Sequence, residues 1–102
     1  MAHGKNKYQS RENRSLIQKV LMREWDPIGV EGIAGAENEY DGYVGTVYTM
    51  LVDGHATTQA IVDFLLKAVA VDMALSPTPE ITQRCIQTAK TLIELRQKLL
   101  TH

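Results

Sequence analysis

The residues best able to do chemistry are crowded between Glu24 and Gly54. That stretch holds seven carboxylates (Glu24, Asp26, Glu31, Glu37, Glu39, Asp41, Asp53), no lysine or arginine, six of the seven glycines and four of the six aromatic side chains (Trp25, Tyr40, Tyr43, Tyr48). Carboxylates at this density suit either a hard-cation site, where oxygens converge on one ion, or an anionic surface that steers a basic partner. For the first, Asp26, Glu37, Glu39 and Asp41 are the candidate ligands. The alternate acids from Glu37 to Gly42 partly match a calcium loop, but an EF-hand needs a bidentate Glu at its twelfth position, and here that position is Tyr48. The same run suits the first turn of a helix, where carboxylates face the positive end of the dipole and Asn38 or Glu39 can cap it.

Nucleophilic catalysis is poorly provided for. It needs a base within reach of Ser, Cys or Thr. The three histidines fall in the N-terminal arm (His3), a tight turn (His55) and the C-terminus (His102), and Cys85 falls on an apolar stripe where a thiol is inert packing. No phosphate-cradling glycine loop, zinc-ligand spacing or nucleic-acid motif is present. The sequence therefore reads as a protein that is not an enzyme, with no catalytic residue, metal ligand or cofactor assigned. The alternative is a carboxylate metal-binding protein, or a metal-dependent hydrolase built on Asp26, Glu37, Glu39 and Asp41, since a bound ion can activate water.

The elements that must position these residues follow from composition and spacing. With 102 residues, 44% of them apolar and 23% charged, the chain can build one modest core. Its net charge of −1 conceals segregation: six cations and one anion up to Arg23, seven anions and no cation from Glu24 to Gly54, and near balance thereafter. Nucleic acid is not an expected partner of such a chain, nor is a membrane, because no apolar run is long enough to span one. One cysteine and no secretory signal point to the cytoplasm.

Apolar residues recur at three and four positions in four segments, which predicts helices over 12–25, 38–53, 57–74 and 79–100. Residues 1–11 read as a flexible arm and 12–102 as the helical domain. Pro27 must end the first helix, Asp53 and Gly54 the second, and Thr78 with Pro79 starts the fourth. Gly42 and Gly45 inside the second helix each cost about 1 kcal/mol relative to alanine, which counts against a helix there unless another packs closely on it. The fold expected is all-α: a single small antiparallel bundle of about four helices with one long Gly-rich loop, Asp26 to Glu37. The third helix is apolar on most sides, so either a homodimer through residues 57–75 or burial of this helix between the other three is expected.

Trp25-Asp26-Pro27-Ile28-Gly29 reads physically as a sharp helix stop, with Trp25 as a buried anchor, Asp26 accepting backbone N–H bonds and Gly29 taking positive φ. At these residues, followed by Asn38-Glu39-Tyr40-Asp41, the chain resembles a family of small bacterial all-helical proteins of unknown function, with a W-D-P-I-G turn and a D-E-Y-D element. The resemblance spans residues 14–100, with Asn38 in place of the first Asp of the second element. It implies an all-α fold, a bacterial cytoplasmic origin, and a shared surface or packing role for Trp25, Asp26, Glu39, Tyr40 and Asp41. In size and acidity the chain is also similar to immunity proteins that inhibit bacterial toxins. The function expected is a non-catalytic protein-binding module. Its acidic, tyrosine-rich segment would engage a basic protein partner through Trp25, Asp26, Glu37, Glu39, Tyr40, Asp41 and Tyr43.

Overall fold

Residues 7–100 are described by a computed structural model, and among them there is no strand. Four helices run in order: α1, Lys7–Val20; α2, Asp41–Val52; α3, Thr58–Lys67; and α4, Pro79–Leu100. Two of them widen at their ends into single π turns, Leu21–Trp25 after α1 and Ala68–Asp72 after α3. The chain is thus the all-α bundle that the spacing predicts. α1 begins five residues before the expected start, so residues 7–11 are helix rather than arm, and residues 1–6 lie outside the described residues. α2 starts three residues later than expected, because the run before it is used in turns.

The core gathers the inward stripe of every helix. Ile17, Leu21 and Trp25 meet Val44, Val47 and Leu51 of α2, Ile61, Leu65 and Val69 from α3 and its π turn, and Cys85, Ala89, Leu92 and Leu99 of α4. α3 packs on α4, α1 on α2, and α4 also touches the first π turn, α1 and α2. Much of the apolar surface at 57–75 is covered within the chain: Ile61, Val62, Leu65, Ala68 and Val69 are buried, Phe64, Leu66, Met73 and Leu75 are half-buried, and Val71 stands 64% exposed. No described helix is long and apolar enough to cross a membrane.

Helix ends show which local signals act. Thr57 and Thr78 accept bonds from the amides of Ala60 and Ile81, both at 3.1 Å, and so cap α3 and α4. The far end of α2 is closed from a distance. Arg96 of α4 donates from Nε to the Leu51 carbonyl at 2.9 Å and from its guanidinium terminus to the Ala56 carbonyl. Replacing Arg96 with alanine leaves both carbonyls without that donor, and we expect a loss of about 1–3 kcal/mol in chemical denaturation.

α2 runs through both glycines without close packing on them. A methyl group at Gly42 would meet nothing within 4 Å, and at Gly45 only the Arg14 guanidinium at 3.5 Å, an ordinary contact. Among the described residues no second helix presses closely on this face. Gly42→Ala is therefore expected to stabilise the protein by about 0.5–1 kcal/mol, the gain in helix propensity, read as a raised thermal midpoint.

Candidate functional site

The segment between the first π turn and α2 is where the candidate residues meet. The π turn closes with the Asp26 amide donating to the Leu21 carbonyl at 2.9 Å, and Asp26 itself is left-handed at φ 32°, ψ 59°. Aspartate tolerates that conformation better than most residues because its short carboxylate can bond locally. Asp26 uses it fully. Oδ1 accepts from the Val30 amide at 2.8 Å and the Tyr40 hydroxyl at 2.7 Å, and Oδ2 accepts from the Glu31 amide at 3.0 Å. The Tyr40 oxygen also accepts from the Ile28 amide at 3.3 Å. One carboxylate and one phenol therefore staple both ends of the segment together.

The turns between them have a three-residue rhythm. Gly29, Ile33, Ala36, Glu39 and Asp41 each donate to the carbonyl three residues back, at 3.0–3.2 Å. In the turns at 30–33 and 33–36 the third residue is Gly32 (φ +82°) or Gly35 (φ +90°), which meets the type II requirement for positive φ. The segment is anchored beneath by aromatic packing: Trp25 lies 5.2 Å from Tyr40 and 5.4 Å edge-on from Tyr43, whose ring continues to Phe64 at 6.2 Å.

Electrostatics follow from this geometry. Burial pushes the Asp26 carboxyl up, but the Tyr40, Val30 and Glu31 hydrogen bonds and the Arg84 charge outweigh it, and its pKa is net lowered. Burial, then the bond to Asp26, raises the Tyr40 phenol far beyond its usual range. Tyr43 is raised by burial and by its bonded neighbour Asp72. Burial raises Cys85 as well, partly offset by the Trp25 indole beside it. That indole N–H finds no nitrogen or oxygen acceptor. Each of these shifts moves a group away from neutrality, which suits a rigid support and leaves none of them poised to exchange protons near pH 7.

The candidate residues divide by exposure. Trp25 and Tyr40 are wholly buried and Asp26 is 8% exposed, so these three shape the segment from within and offer a partner no direct contact. Tyr43 is half-buried, and Glu37, Glu39 and Asp41 are exposed. Nor do Asp26, Glu37, Glu39 and Asp41 converge. Among the described residues no group of three His, Cys, Asp or Glu is arranged to hold an ion, Asp26 spends its oxygens on internal donors, and Glu37 turns one oxygen to the Gly35 amide at 3.1 Å. The expected helix cap is also absent: Tyr40 occupies the N-cap of α2 with no side-chain cap bond, because Asn38 and Glu39 belong to the turns.

Sequence reasoning missed two contributors. Ile28 and Ile33, large aliphatics in an acidic loop, stand 40% and 54% exposed. Their signal was available as apolar residues flanked by glycines that no helical stripe could absorb. No protein-family model, curated protein or solved structure matches the chain. Its functional reading rests on the residues themselves.

Proposed function

We propose that this chain is a non-catalytic protein-binding module, and that the turn segment from Ile28 to Glu39 is its recognition element. One observation carries the reading: a segment stapled by Asp26 and Tyr40 nevertheless turns Ile28 and Ile33 outward, among the exposed carboxylates Glu31, Glu37 and Glu39. A rigid loop loses little entropy on binding, so apolar anchors held this way contribute more of their buried area to affinity. The surrounding carboxylates favour a partner with a basic rim and an apolar pocket. A toxin with a cationic active-site face is one such partner, which would make this chain an immunity-type inhibitor.

The charge argument is narrower than the sequence suggests. Arg11 and Arg14 of α1 share a cleft with Asn38 and Asp41, and Glu24 accepts from the Thr91 hydroxyl at 2.8 Å. The ends of the acidic segment thus have neighbours of their own, and its middle, Glu31 to Glu39, carries the recognition. The test is quantitative affinity capture from the source cell with three baits: wild type, Ile33→Asp, and Glu31, Glu37 and Glu39 all changed to lysine. The reading expects a protein retained by wild type and lost from both variants. Identical recovery on all three baits would remove it.

A further inference from the structure

Between the end of α1 with its π turn and the turn segment lies a groove of about 440 Å³. Met22, with Lys19 and Arg23, forms the helix side, and Val30, Ile33 and Glu37 form the loop side. Its floor is apolar. Met22 and Val30 are half-buried against the core, while Ile33 projects at the lip, 54% exposed. Its two sides carry opposite charge. Lys19 and Arg23 supply cations on the helix side, and Glu37, held by the Gly35 amide and by the Gln18 amide group on its carbonyl, supplies an anion on the loop side. Among the described residues no salt bridge joins Lys19 or Arg23 to Glu37 across the groove.

A trough with a projecting isoleucine beside it, cationic on one lip and anionic on the other, is complementary to itself under a two-fold rotation. Such a rotation lays the helix lip of one copy on the loop lip of the other, so each contact occurs twice. We propose that two copies of this chain associate face to face through this groove. Ile33 of each packs on the helix lip of the other beside Met22, and Lys19 and Arg23 of each face Glu37 of the partner subunit. The interface differs from the 57–75 surface that the apolar pattern suggests, most of which is used in packing within the chain. Because the dimer covers Ile33 and Glu37, a partner that uses the same segment competes with the second copy; dimerisation is measured with no other protein present, so its failure leaves the partner-binding reading standing.

Sedimentation velocity on the purified full chain tests it, at rising concentration in low salt and in about 0.5 M salt. The expected result is a species of twice the 11.4 kDa chain mass that weakens with salt. Ile33→Asp, Glu37→Lys alone, and Lys19→Glu with Arg23→Glu should each weaken association by about tenfold or more. Far-UV circular dichroism should show all three still folded, since every altered side chain is exposed. Mixing the Glu37→Lys and Lys19→Glu/Arg23→Glu proteins should restore a heterodimer, because the reversed charges face one another again. A wild-type chain that stays monomeric throughout overturns the proposal. So does a dimer that survives all three variants, or one that the mixture of reversed charges fails to restore.

Discussion

Trp25→Ala should cost about 3–5 kcal/mol, the range for deleting a large buried aromatic. The indole is fully buried at the junction of the first π turn, α2 and α4, with Tyr40 tilted against it, Tyr43 perpendicular to it and Cys85 beside it. Removing it opens a cavity that three separate elements would have to close together. A domain of this size is stable by about 5–15 kcal/mol, so the variant should show a much lower urea midpoint and a partly unfolded population at physiological temperature. Trp25→Phe should lose far less, about 1–2 kcal/mol, since a ring still meets the tyrosines and the indole N–H, which lacks a nitrogen or oxygen acceptor, is gone. Equal losses in the two variants would mean that the aromatic contacts are not what matters here.

Most of the helical frame was legible because its signal repeats. Val44, Val47 and Leu51 fall on one side of a 3.6-residue helix whatever the surroundings, and Thr78 with Pro79 marks the start of α4 through chemistry confined to adjacent residues. The π turns were not legible. Over the five residues from Leu21 to Trp25 the difference between an α and a π turn is one hydrogen-bond register, which no apolar pattern records.

The site was legible in its parts and hidden in its assembly. Trp25 as an anchor and Asp26 as an acceptor of backbone amides follow from a helix stopped before Pro27, and both are present. That Tyr40 would turn inward to the same carboxylate depends on thirteen intervening residues folding into successive turns, a tertiary fact. The carboxylates misled for the same reason. Alternate spacing suggests convergence on an ion, but the left-handed glycines at 32 and 35 redirect the chain every three residues, leaving Glu37 and Glu39 exposed while Asp26 is buried.

Asp26→Ala is expected to cost about 3 kcal/mol, because the variant loses a buried ionised acceptor of three hydrogen bonds and places alanine in a left-handed conformation. Tyr40→Phe should cost less, about 1–2 kcal/mol, since the two backbone amides keep their carboxylate. The double variant should lose less than the sum of the two, with a coupling of about 1–2 kcal/mol that measures the phenol-to-carboxylate bond itself. The pH dependence gives an independent check. The Asp26 carboxyl is depressed in the folded state, so the unfolded chain takes up its proton first as pH falls. The stabilisation is therefore fully present above the ordinary aspartate range near pH 3.8 and drains away as pH drops toward the lowered folded value. In Asp26→Asn there is no such proton to bind. The stability gap between wild type and Asp26→Asn should be constant from about pH 7 to pH 5 and narrow below about pH 4. A gap that stays constant to about pH 2.5 would show that the staple does not depend on an ionised carboxylate. If it narrows as expected, the loop that presents Ile28 and Ile33 should loosen over the same interval, seen as faster amide exchange at Val30 and Glu31, whose N–H groups the carboxylate holds.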